Sequence, residues 1–134
     1  MFAGDVCGRT GRNALRESIP ILRRKFGPFD FVIVNCENAA SGFGITEKVM
    51  NELFDMGIDV LTSGNHIWDK KEFIQVLDRE RSVLRPANYP TGVSGAGYGV
   101  FERNGIHLGV INLQGRAFMH PIDCPFRKSD EILS

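Results

Sequence analysis

The sequence lacks any surplus of charge: 16 lysines and arginines stand against 16 aspartates and glutamates, a formal net charge of zero over 134 residues. With no excess of positive charge, nothing drives general binding to nucleic acid or to an anionic membrane surface. Long apolar runs are also missing. The longest unbroken aliphatic or aromatic stretch is Phe31-Val-Ile-Val34, far short of a membrane span. Acidic Asp5 follows Met1-Phe2-Ala3-Gly4 directly, which is not the basic-then-apolar pattern of a signal peptide, so a cytoplasmic location is expected. Cysteine is scarce. Cys7, Cys36 and Cys124 are odd in number and widely spaced, with no C-x-x-C pair, which argues against a disulfide framework or a structural zinc site. Three reduced thiols acting as small fillers are expected. What is present is ordinary: 43% hydrophobic and 24% charged residues describe a globular chain rather than a disordered one.

Organisation comes from a repeated alternation of apolar run, polar glycine-bearing loop and amphipathic helix. Met1-Phe2-Ala3 is a short first strand, followed by a loop through Gly11. Leu15, Ile19, Leu22 and Phe26 then recur at helical spacing and predict a helix from about Arg12 to Phe26, kinked or restarted at Pro20. Phe31–Val34 reads as a strand covered on both faces. Thr46 is the expected N-cap of a helix that carries Val49, Leu53 and Met56 and stops at Gly57. Asp59-Val-Leu-Thr62 is the third strand, Ser63–Trp68 its loop, and Asp69 the expected cap of a helix through about Asp78. Three βα units in series predict an α/β fold with a parallel sheet and right-handed crossovers.

Beyond residue 82 the pattern changes. Arg85-Pro-Ala-Asn-Tyr-Pro90 is extended by its prolines, and Tyr98–Glu102 and Ile106–Leu113 form a hairpin at Asn104-Gly105. Ser129 is expected to cap a final helix of one turn. The short first strand and short last helix lead us to expect that residues 1–134 are the N-terminal part of a single longer domain, cut at both ends.

Ligands of open parallel sheets bind beyond the carboxyl ends of the strands. The loops there carry Asp5 after the first strand, Asn35, Glu37 and Asn38 after the second, and Ser63, Asn65 and His66 after the third. Two carboxylates with side-chain amides are oxygen donors suited to hard or borderline divalent metals, and one imidazole can move a proton. Nucleotide-loop alternatives fail on spacing. Gly4-x-x-x-Gly8-x-x-Gly11 is neither a dinucleotide fingerprint nor a Walker A loop, and Gly42-Phe-Gly44-Ile-Thr-Glu47 has glutamate at the third glycine position.

Three blocks, Gly4-Asp5-Val6-x-Gly8-x-x-Gly11-Arg12, Val34-Asn35-x-Glu37-Asn38-Ala39-Ala40 and Thr62-Ser63-Gly64-Asn65-His66-Ile67-Trp68-Asp69, resemble the calcineurin-like metallophosphoesterases. With Arg85–Pro90, Asn112–Arg116 and Asp123–Phe126, the chain more narrowly resembles the bacterial YmdB-like branch, whose members hydrolyse 2′,3′-cyclic nucleotides at a two-metal centre. The resemblance implies a metallophosphoesterase α/β sandwich and a phosphodiesterase that uses a hydroxide activated by two divalent ions, iron, manganese or similar. It implies that Asp5 binds one metal, Glu37 bridges both, Asn38 helps hold the first and Asn65 holds the second. His66 would then face the scissile phosphate as general acid or stabilise its charge. The implied partner is a small phosphodiester or cyclic-nucleotide substrate, with no membrane and no general nucleic-acid binding. The family's later metal-binding histidines, including a Gly-x-His-x-His loop, have no counterpart here, where the histidines are His66, His107 and His120.

The alternative is a catalytically incomplete fragment that binds a partner or self-associates as a homo-oligomer. Among the remaining residues, His107 and His120 read as structural or solvated. Arg9 and Arg12 read as solvated rather than phosphate-binding, and Phe43 and Trp68 as packing rather than base-stacking.

Overall fold

The structure, a computed structural model, describes residues 1–134. Strands β1 (Phe2–Ala3), β2 (Ile33–Asn35), β3 (Val60–Thr62) and β4 (Val83–Leu84) form one sheet in the order β1-β2-β3-β4, and every pairing in it is parallel. Helix α1 (Gly8–Phe26) links the first pair and α2 (Glu47–Asp55) the second. Two 3₁₀ turns, Asn65–Trp68 and Lys71–Phe73, followed by α3 (Ile74–Arg79), link the third. Sequential parallel strands joined by right-handed crossovers layer their helices on one face of the sheet. A single apolar cluster joins Leu15 and Ile19 of α1, Val49, Met50 and Leu53 of α2, and Val76 and Leu77 of α3 to Val32, Val34, Leu61 and Val83.

Several expectations are corrected. The first helix begins at Gly8 rather than Arg12 and runs without a break through Pro20, so the proline does not restart it. Helix α2 begins as expected, with Thr46 Oγ1 accepting from the Val49 amide at 3.3 Å. A fourth parallel strand, β4, stands just before the proline-extended segment, where no element was foreseen; at two residues it is too short for any periodicity to show. Asp69 is not the N-cap of the third helix: the crossover tightens into 3₁₀ turns, Asp69 closes the first of them, and α3 starts only at Ile74. The last helix, α4 (Pro125–Leu133), is capped by Cys124 rather than Ser129, with Pro125 in its first turn, where a missing amide hydrogen costs nothing.

The hairpin is as expected: β5 (Tyr98–Arg103) pairs antiparallel with β6 (Ile106–Ile111). Asn104 and Gly105 have φ of 52° and 77°, the mirror-image turn that matches strand twist. It is tied to the sheet at both ends. Arg103 donates to Asp59 Oδ1 at 2.6 Å. Asn112 donates from Nδ2 to the carbonyls of Ser63 (2.7 Å) and Leu84 (2.9 Å), satisfying oxygens at the ends of β3 and β4. No helix is long and apolar enough to cross a membrane.

Candidate functional site

The loops that follow β1, β2 and β3 leave the same edge of the sheet, and backbone hydrogen bonds knit them together. The Val6 amide donates to the Asn35 carbonyl at 3.0 Å, Gly8 to Asn38 at 2.9 Å, and Cys36 to Thr62 at 2.8 Å. The side chains follow. Asn38 Nδ2 donates to Asp5 Oδ1 at 2.7 Å, joining the first loop to the second. Asn35 Oδ1 accepts from the Glu37 amide at 3.3 Å, an asparagine turn that aims the glutamate.

Glu37 then crosses to the third loop. A β-carbon on Gly64 would lie 2.6 Å from both Cδ and Oε1 of Glu37, so the carboxylate occupies the space that any side chain at residue 64 would fill. The next residue is Asn65. Gly44, at φ +69°, brings the glycine-bearing second loop against the same turn: a β-carbon there would lie 3.0 Å from the His66 carbonyl oxygen. Arg12 is not solvated as expected. It donates to the Ala39 carbonyl at 2.6 Å and to Glu52 at 3.0 Å, holding the second loop against α1 and α2.

His66 is half-buried. Its Nδ1 lies 2.7 Å from Asp69 Oδ2, and because a carboxylate only accepts, Nδ1 carries the proton and Nε2 is left for other partners. Phe43 stands edge-on to the imidazole, with centroids 5.2 Å apart. Asp69 therefore orients His66, a role the capping expectation missed; its three-residue spacing from the histidine was the available signal. Trp68 packs against the core and tilts onto Tyr89 at 4.5 Å, as a structural residue should.

The candidate residues divide accordingly. Asp5 and Asn38 touch; Glu37 sits against Gly64, the residue before Asn65; His66 is turned to Asp69 and Phe43. Ser63, counted with the loop donors, instead sends its hydroxyl to the Leu84 carbonyl at 2.8 Å and is buried in the sheet. Cys36 is fully buried beneath Glu37; burial first, then the glutamate's charge, pushes its thiol up, so it stays protonated filler. All three cysteines are free.

As a metal site the donor set fits in kind. Asp5, Glu37, Asn38 and Asn65 offer oxygens of the type hard divalent cations take, and Glu37 lies in a cradle built for a carboxylate. In number it falls short, because no three His, Cys, Asp or Glu side chains come together. Asp5 and Glu37 are the two charged donors, enough for one wall of a site.

His120, read as a loop residue without a partner, lies with Phe118, Met119 and Pro121 around a hollow of about 440 Å³ that Asn65 also lines. Nothing in the local sequence signalled this proximity.

Comparison with known proteins agrees with this fold. The chain is 47% identical over all of its 134 residues to a 2′,3′-cyclic-nucleotide 2′-phosphodiesterase of Bacillus subtilis, of which it covers 50%. Two solved structures superpose with TM-scores of 0.89 over 98% of the chain. One is a hypothetical protein from Thermus thermophilus, 39% identical and 51% covered; the other is a phosphatase from Mycoplasma pneumoniae, 33% identical and 49% covered. The chain thus spans about half the length of the relatives it matches. The model of the YmdB-like protein family matches residues 1–134, and the chain belongs to that family.

Proposed function

We propose that this chain supplies the strand-end half of a phosphodiesterase centre acting on small phosphodiesters such as 2′,3′-cyclic nucleotides. The observation that carries the reading is the seating of Glu37 against Gly64, which brings a carboxylate from the second loop onto the third, at the residue that precedes Asn65 and His66. In this reading Asp5, Glu37, Asn38 and Asn65 would hold divalent ions, Glu37 and Asp5 giving the charged oxygens and the asparagines neutral ones, with further ligands needed beyond these four. Bound there, such ions supply positive charge at the phosphate and a nucleophilic water at neutral pH.

The chain's own groups do the rest. Asn38 restrains Asp5 by the 2.7 Å hydrogen bond, and amide donors add oxygens without adding negative charge that would repel a phosphodiester. His66, held by Asp69 at Nδ1, presents Nε2 to the leaving oxygen; as the doubly protonated imidazolium it gives up the Nε2 proton there and returns to the neutral ring with its proton on Nδ1. The test is hydrolysis of 2′,3′-cyclic AMP by the full-length protein, with the variant Glu37→Gln alongside. The variant is expected to lose turnover while its melting curve stays that of the parent. Parental turnover in Glu37→Gln would overturn the assignment.

A further inference from the structure

We propose that the segment Gly115–Ile122 is a base-recognition arm of this site, in which Phe118 and Met119 receive the face of a nucleobase in the hollow beside Asn65. The inference rests on the phosphodiesterase reading and names the part of the substrate that this loop grips.

The arm is clamped at its base. Asn88 is completely buried, and its side chain bonds both ends of the segment. Nδ2 donates to the carbonyls of Gln114 and Asp123, each at 2.9 Å, and Oδ1 accepts from the Gln114 amide at 2.9 Å. The Asp123 amide returns a bond to the Asn88 carbonyl at 3.0 Å. Between these anchors the chain projects, with a single turn in which the Met119 amide donates to the Arg116 carbonyl at 3.3 Å.

At its tip Phe118 is fully exposed and has φ of +59°. A bulky side chain in the left-handed region is strained, and an uncovered phenyl ring forgoes its burial free energy. No contact within the chain offsets either cost. A flat ligand offsets the second.

The hollow at the tip is about 440 Å³ and is lined by Asn65, Phe118, Met119, His120 and Pro121. Asn65 is adjacent to His66, so a phosphate at the strand ends carries its nucleoside toward this arm. Every base offers a π-face to an aromatic ring, and a thioether packs against ring edges. His120 adds ring nitrogens for a sugar hydroxyl or a base edge. The other exposed aromatic of the site, Phe43, is engaged edge-on with His66 and serves the imidazole instead.

The test uses the full-length protein and its Phe118→Ala and Phe118→Trp variants, titrated calorimetrically with adenosine 3′-monophosphate and with inorganic phosphate, with thermal melts in parallel. Loss of one base–aromatic stack weakens the nucleotide by about fivefold to 100-fold. Phosphate affinity and melting temperature are expected to stay unchanged, and tryptophan to restore the nucleotide. Equal weakening of both ligands, no weakening, a fall in melting temperature that accounts for the loss, or no nucleotide binding by the parent would each overturn the proposal. Phe118-dependent nucleotide binding in a protein that hydrolyses no phosphodiester would sustain the arm and overturn the phosphodiesterase reading. Hydrolysis with no dependence on Phe118 in either titration would do the reverse.

Discussion

Replacing Gly64 by alanine separates the fold from the site more sharply than any other single change. Gly64 has φ −136° and ψ −145°, so no left-handed strain enters, but ψ lies about 35° beyond the usual extended range and alanine takes on some backbone strain there. The new β-carbon would lie 2.6 Å from Cδ and Oε1 of Glu37, with Oε2 nearer still. Non-bonded carbon contacts settle at about 3.5–4.0 Å, so the carboxylate must move by about 1 Å. The atoms in the way are the free end of a flexible side chain, so the fold yields locally. The stability loss should be about 1–3 kcal/mol, from overpacking and the strained ψ together, which leaves the protein folded. Function is far less tolerant, since a misplacement of about 1 Å can lower turnover about 100-fold. The assay is kcat on 2′,3′-cyclic AMP for full-length parent and Gly64→Ala, measured beside their thermal melts. Parental turnover with an unchanged melt would refute the argument that this cradle sets the position of Glu37. A collapsed melt would show that Gly64 serves core packing instead.

Two further substitutions probe the supporting residues. Asn88→Ala removes three buried side-chain hydrogen bonds and leaves the Gln114 and Asp123 backbone groups unpartnered. It should cost about 2–4 kcal/mol of stability, read from the urea unfolding midpoint. A shift within error would mean that the arm is anchored by other contacts. Asp69→Ala deprives His66 Nδ1 of its acceptor, and kcat is expected to fall about tenfold or more with little change in KM. An unchanged kcat would show that packing against Phe43 alone orients the ring.

Much of the site was legible because its chemistry is confined to short blocks that follow apolar runs. Phe31–Val34 and Asp59–Thr62 could be placed as strands within two residues, and a residue at the carboxyl end of a parallel strand has a defined place in space. Asp5, Glu37, Asn38, Asn65 and His66 therefore belong to one edge of the sheet on the strength of the sequence alone. The turn at Asn104-Gly105 was equally plain, since its two residue types are those that tolerate positive φ.

The features that escaped depend on contacts between distant segments or on elements too short to carry a pattern. Val83–Leu84 is a strand only because β3 lies beside it, with Leu61 opposite Val83. The reading of Asp69 as a helix cap was reasonable locally and failed because the chain tightened into 3₁₀ turns, which put the carboxylate within 2.7 Å of His66 Nδ1.

The sequence by itself determined the order of the βα units, the loops that bear the polar groups and the kind of donor each one offers. Those follow from local periodicity and side-chain chemistry. Only the tertiary structure decided that Glu37 rests on Gly64, that Ser63 turns into the sheet, and that the segment around Phe118 is clamped by Asn88 beside Asn65. Each is a pairing across many residues of chain, selected by close packing and by the requirement that buried polar groups find partners.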